Sequence, residues 1–165
     1  MIRPFVLLLS LLACSCGYRF TAGGADLPEG VRKVCAPLYV NRTAEAGLEL
    51  VFTESLRAHL IRAGTLGSDC QAQLNGEVVA VWGGPTVITN RGVLASYRIF
   101  ARVQLRLTKA DKLLAQTEVT GWEDYLPSAE TQQDVLRVEA NRQAALRRLS
   151  DALAREAYEK LTTAW

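Results

Sequence analysis

Between Tyr97 and Leu107 the chain alternates without a break. Tyr97, Ile99, Ala101, Val103, Leu105 and Leu107 fall on one side; Arg98, Phe100, Arg102, Gln104 and Arg106 fall on the other. A strict period of two marks a strand buried on one face only. Such a strand belongs to a sheet whose apolar side must be covered, while its other side meets water or a partner. Amphipathic helices are one of the few structures that can supply that cover.

Two segments have the required pattern. From Gly47 to Ala63, Leu48, Val51, Phe52, Ser55, Leu56, His59, Leu60 and Ala63 recur at helical spacing, with Glu49, Glu54, Arg57 and Arg62 opposite. Gly64 then stands where a left-handed residue commonly ends a helix. From about Thr131 to Thr162 the chain is rich in Ala, Leu, Arg and Glu. Val138, Ala145, Leu149, Ala152 and Leu153 form its stripe, with Leu146 and Ala157 at the border. Arg137, Arg147, Arg148 and Arg155 lie away from the stripe. Arg142 lies near its centre, which predicts a helix buried unequally along its length.

Three more strands follow from alternation. Val31 to Val40 places Val34, Ala36, Leu38 and Val40 on one side and Lys33, Cys35 and Tyr39 on the other. Pro37 marks it as an edge strand or a bulge. Leu74, Gly76, Val78, Ala80 and Trp82 share a face of the next, which Gly83-Gly84-Pro85 should end. Thr86 to Leu94 reads as a loop turning at Asn90-Arg91-Gly92. Lys109 to Lys112 reads as a hairpin connection to a last strand, with Ala115, Thr117 and Val119 inward and Gln116, Glu118 and Thr120 outward. Matching inward residues pairs Val103 with Val119 and Gln104 with Glu118. Glu118 is then in diagonal reach of Arg102 and Arg106. Trp122 to Pro127 should leave the sheet.

The expected fold is α+β: a two-layer, four-stranded mixed sheet with two helices on one face, in the order β-α-β-β-β-α. The first β-α-β step implies a parallel pair and the last three strands an antiparallel meander.

The start of the chain reads as an address. After Arg3, Phe5 to Ala13 is an apolar run broken only by Ser10. It is too short to cross a bilayer and has the form of a signal peptide. Its end, Leu11-Leu12-Ala13-Cys14-Ser15-Cys16, fits a bacterial lipoprotein signal, in which a cysteine is acylated. Leu11 and Ala13 before Cys14 fit well; Ala13-Cys14-Ser15 before Cys16 fits less well at its first position. The expected organisation is a signal peptide over 1–15, a tether over 16–30 and one domain over 31–165. Export would place Cys35 and Cys70 where disulfides persist. They are either bonded, stabilising the fold by about 3–4 kcal/mol through loop closure, or two separately buried thiols.

Chemistry-bearing motifs are scarce. The chain of 165 residues has a single histidine and a formal charge of +2, from 19 Lys and Arg against 17 Asp and Glu. That balance argues against a nucleic-acid partner. There is no nucleophile elbow, no phosphate-binding glycine loop and no zinc-ligand spacing, so no enzyme activity, metal or other cofactor is expected. His59 lies on a helix stripe, as a packed, hydrogen-bonded residue would. The enzymatic alternative would be a hydrolase using His59. Glu123-Asp124 are adjacent in an extended chain and point apart, a poor acid–base pair. What remains is the row Arg98, Arg102 and Arg106. Members four residues apart sit about 13 Å from one another along a strand. The row is either a solvated face paired with Glu118 or a face that binds anions or a partner, for which the planar guanidinium fork is suited.

Several segments together resemble the lipopolysaccharide-assembly lipoprotein family LptE. They are Cys16-Gly17-Tyr18-Arg19-Phe20, Leu27-Pro28-x-Gly30-Val31, Asn41-x-Thr43 and Gly47-Leu48-Glu49. Leu74-Asn75-Gly76-Glu77-Val78, Ser96-Tyr97-Arg98-Ile99 and the long C-terminal helix complete the set. Their order spans nearly the whole chain after the signal. The resemblance implies a lipid-anchored protein (palmitate on the cysteine) on the periplasmic side of the outer membrane. It implies the LptD β-barrel as partner and lipopolysaccharide as ligand. Arg91 falls near a basic family position. A second such position aligns near Glu139 here, flanked by Arg137 and Arg142. The family places the lipid on the cysteine before Gly-Tyr, which is Cys16, whereas the signal pattern favours Cys14; both stand. The alternative is an envelope scaffold lipoprotein of another secretion or cell-wall complex.

Overall fold

The computed structural model describes residues 27–88, 94–126 and 132–163. Two short strands, β1 (Val34–Cys35) and β2 (Val40–Asn41), precede helix α1 (Leu48–Arg62). Three long strands follow, β3 (Ala72–Ile88), β4 (Leu94–Lys109) and β5 (Lys112–Tyr125), then helix α2 (Gln132–Thr163). β1 and β2 both run parallel to β3, and β3, β4 and β5 form an antiparallel meander. The order is β-α-β-β-β-α with its first strand broken in two. Inward residues of the sheet and the buried sides of both helices make one core.

The break in the first strand has a countable cause. Val34 faces Ala72 while Val40 faces Glu77, so six steps on one side match five on the other. The extra residue falls around Pro37, whose nitrogen has no hydrogen to give to the ladder. One extra residue reverses every face beyond it. Leu38 and Val40, expected inward with Val34 and Ala36, are therefore exposed, and Tyr39, expected outward, is buried. The Tyr39 ring lies on Gly76 so closely that a Cβ there would collide with it. The Tyr39 N–H donates to Thr53 Oγ1 at 2.9 Å, which tethers this segment to α1.

β3 departs from expectation in the same way. Val78 faces Val103, but Ala80 faces Arg102, leaving Val79 as a bulge. Beyond it Val81 packs toward the core, and Trp82, expected inward, lies opposite the outward Phe100. The strand also runs through Gly83-Gly84-Pro85 rather than ending there. β2 stops pairing before this point, so β3 has one open edge, where a sheet accommodates proline. Thr86 to Ile88, expected in a loop, continue the strand. Asn90-Arg91-Gly92 lie outside the described residues.

The β4–β5 register agrees with the sequence: Val103 faces Val119 and Gln104 faces Glu118. The two residues between these strands, Ala110 and Asp111, have φ of 46° and 63°, the left-handed pair of a tight hairpin turn. β5 continues through Trp122 to Tyr125, where the chain was expected to leave the sheet.

In α1, Leu48, Phe52, Ser55, Leu56 and Leu60 are buried, and Gly64 has φ of +68° just past the helix end. In α2, Ala145, Leu146, Leu149, Leu153 and Ala157 are buried. Ala152, expected on the stripe, is exposed. Ser150 and Ala154 are buried instead, because α1 packs alongside and draws the contact arc toward them. The hydroxyls of Ser55 and Ser150 share a hydrogen bond of 2.7 Å at that seam. The N-terminal end of α2 is less covered: Val135 and Leu136 are exposed.

Cys35 and Cys70 are joined, their Cα atoms 5.5 Å apart, tying β1 to the segment before β3. Leu27 and Val31 form a β-bridge and are both buried, so packing includes the end of the stretch read as a tether. No described helix is long and apolar enough to cross a membrane.

Candidate functional site

The sheet face turned away from the helices carries the arginine row. Across β3, β4 and β5, Trp82, Phe100 and Trp122 are direct cross-strand neighbours. They form a band of aromatic rings at right angles to the strands. Trp82 and Phe100 stack with planes 3° apart and centroids at 5.2 Å. Trp82 and Trp122 remain 41% and 53% exposed, an unusual state for tryptophan on a solvated face.

Arg98 and Arg102 flank this band on β4. The Arg98 guanidinium lies 3.6 Å from the centre of the Trp122 ring, near enough for attraction to its π face. Arg98 also donates from Nε and Nη2 to the two oxygens of Asp124 at 2.7 and 2.8 Å. The hydrogen bond from Arg98 holds the Asp124 carboxyl below its ordinary range, and the same bond raises Arg98. Arg102 lies 5.8 Å from the centre of the Trp82 ring and 4.0 Å from Glu118. Arg106 was expected to share Glu118. It turns instead to Glu77 at 3.8 Å and to Gln104, and Glu77 also takes Arg42 at 3.1 Å.

The row is therefore an alternation of arginine, aromatic ring and carboxylate, with each row arginine matched to an acid. Its exposed ion pairs contribute little to stability. Arg98 alone is gripped by its acid and seated on a ring at once, while Arg102 lies more loosely between Glu118 and Trp82. The face offers flat apolar surface with arginine donors at its edges.

The other expected arginines do not join it. Arg142, on α2, donates to both oxygens of Glu45 at 2.7 and 2.6 Å, linking α2 to the approach to α1. That bond raises the Arg142 pKa above its ordinary value. Arg137 lies exposed near the start of α2, and Arg91, Cys14 and Cys16 lie outside the described residues. Glu123 and Asp124 point apart as adjacent strand residues must: Glu123 accepts from Arg148 Nε at 2.7 Å while Asp124 takes Arg98. His59 packs edge-on against Tyr158, centroids 4.9 Å apart, and among the described residues this ring contact stands in place of the expected hydrogen bond. No described group of three or more His, Cys, Asp or Glu could hold a metal.

The aromatic band is what sequence reasoning missed. The β4 alternation predicts Phe100 outward, and it lies there. The alternation of β3 predicts Trp82 on the inward side because the Val79 bulge leaves no mark in the sequence, and Trp122 lies within β5 rather than beyond the sheet.

Residues 31–161 match the family model described as LptE, lipopolysaccharide-assembly. The chain belongs to that family. No curated protein matches the LptE chain in sequence. Its fold recurs in solved structures of low identity. Rare lipoprotein B from Shewanella oneidensis is 12% identical with a TM-score of 0.56, over 80% of this chain and 95% of that one. A protein from Caulobacter crescentus is 19% identical with a TM-score of 0.55, over 76% and 88%. A minor lipoprotein from Acinetobacter baumannii is 12% identical with a TM-score of 0.50, over 79% and 93%. At these identities the likeness is one of fold. The family's description names lipopolysaccharide assembly rather than a reaction.

Proposed function

We propose that this LptE protein is a lipid-anchored component of the outer membrane, facing the periplasm. In this reading it partners the LptD β-barrel and binds lipopolysaccharide during assembly of the outer leaflet. The observation that carries the reading is the family match over residues 31–161. The signal pattern would supply the anchor, with residues 1–15 removed if Cys16 is acylated and residues 1–13 if Cys14 is.

The sheet's outer face suits the role physically. A barrel lumen is polar, and a domain that enters it needs polar surfaces with fixed charges. Lipid A presents phosphates beside apolar chains. Arg98, Arg102 and Arg106 offer fork-shaped donors for the former, and Trp82 and Trp122 offer apolar surface for the latter. Arg91, Arg137 and Arg142 would contact ligand or barrel from outside this row.

Co-purification from detergent-solubilised outer membranes tests the partnership. Recovery with LptD supports it. Recovery with a different secretion or cell-wall complex, without LptD, would make the protein an envelope scaffold instead. Charge reversal at Arg91 or Arg102 should weaken lipopolysaccharide binding; unchanged affinity in both would confine these arginines to structural roles.

A further inference from the structure

A groove of about 570 Å³ runs between α1 and α2, in the helix layer and away from the sheet's outer face. One wall carries His59 and Arg62 from successive turns of α1. The other carries Arg148, Asp151, Ala152 and Arg155 from one ridge of α2. Small side chains at the ridge, Ala152 above all, keep the groove open. Arg148 is anchored at the wall by Glu123. Arg62 and Arg155 have no acidic partner within ion-pair reach among the described residues.

With Arg148 already matched to Glu123, the groove's lining sets Arg62 and Arg155 against one aspartate, and Glu159 acts on His59 as well. Collecting like charge costs free energy that an anion would recover. Burial chiefly, then Arg62, lowers the His59 pKa; Glu159 opposes them and Arg155 adds a smaller lowering. Against His59 lies Tyr158, 5% exposed, whose hydroxyl is buried without a hydrogen-bond partner among the described residues. An unpaired buried hydroxyl is uncommon in a settled helix seam.

We propose that this groove binds a phosphate-bearing group, with Arg62 and Arg155 as its donors, Arg148 as a fixed wall and His59 beside the bound anion. Planar guanidinium forks match phosphate oxygens in pairs, which favours phosphate over a lone carboxylate. The phosphate is either on a lipid headgroup or on a soluble metabolite; the chemistry at the groove is the same. The site is independent of the arginine–aromatic face and of the reading given to that face.

Calorimetric titration of the full chain in nonionic detergent with inorganic pyrophosphate tests this. Saturable binding is expected, weakened about ten-fold or more in Arg62→Ala/Arg155→Ala, since each loses a charge-assisted bond. Ala152→Leu keeps every charge but fills the groove and should weaken binding comparably. Arg32→Ala removes one exposed charge elsewhere and should leave it intact. His59 is the single histidine of the chain, so its ring resonances titrate unambiguously, and its pKa should rise when pyrophosphate is present. Displacement by short-chain phosphatidic acid in preference to glycerol phosphate would place the phosphate on a lipid; the reverse would place it on a soluble compound. Absence of pyrophosphate binding, equal binding by the Ala152→Leu chain, or equal competition by glutamate at matched ionic strength would overturn the proposal.

Discussion

Arg98 holds Asp124 with both arms of its guanidinium while the plane of that group rests on Trp122. Two neighbouring strands thus fix one cation by a carboxylate at its edge and a ring at its face. The depressed carboxyl of Asp124 gives a pH test. A folded-state pKa below the unfolded value contributes stability above the unfolded pKa, and that contribution is lost as pH falls through the folded one. Carboxyl resonances followed by NMR should show Asp124 titrating at lower pH than an ordinary aspartate. In Arg98→Ala the midpoint should return toward the ordinary value.

Trp122 is about half exposed but carries the Arg98 guanidinium and faces Phe100, so Trp122→Ala should cost about 1–2 kcal/mol. If the aromatic band contacts lipopolysaccharide, the same substitution should weaken binding several-fold. Thermal melting and a binding isotherm on the same preparation separate the two effects. Unchanged binding in both Trp82→Ala and Trp122→Ala would remove the band from the site.

The ring of Tyr39 leaves no room for a side chain at position 76. Gly76→Ala should destabilise by roughly 1–3 kcal/mol, the usual cost of overpacking a core. The Tyr39→Ala/Gly76→Ala double variant should lose less than the sum of the two single ones, because the collision is gone. Chemical denaturation of the four proteins measures this coupling.

Ser55 and Ser150 share a fully enclosed hydrogen bond between the helices. Ser55→Ala should cost about 1–2 kcal/mol, because a polar atom across the seam loses a partner. Ser150 keeps a bond to the Arg147 carbonyl, which should hold the cost toward the lower end. Replacing both serines should cost less than the two single losses together, again by denaturant unfolding.

Non-reducing mass spectrometry of the mature protein should find Cys35 and Cys70 linked. Cys35→Ser/Cys70→Ser should lower stability by about 3–4 kcal/mol if loop closure accounts for the effect. Two free thiols in the exported protein would contradict the bond.

The unbroken alternation of β4 made its two faces readable, and with them the β5 register and the opposition of Gln104 to Glu118. The helices were readable because apolar spacing repeats over several turns, which a single exception such as Thr53 does not erase. The bulges at Pro37 and Val79 were harder. Proline announced an irregularity but not its size, and nothing around Val79 announces one at all. A bulge is chosen by the packing of both partner strands, so one strand's sequence cannot show it.

Local pattern therefore determined which stretches of this protein are strands and helices, their order, and the outward placement of Arg98, Arg102 and Arg106. Only the tertiary structure decided that these arginines are matched to Asp124, Glu118 and Glu77, and that Arg142 is taken by Glu45. It also decided that Trp82 and Trp122 lie with Phe100 on the outer face, and that Arg62 and Arg155 face a shared groove. Periodicity is a property of consecutive residues. Pairing across strands and helices depends on register and packing between distant ones, where one extra residue turns every later side chain to the other face.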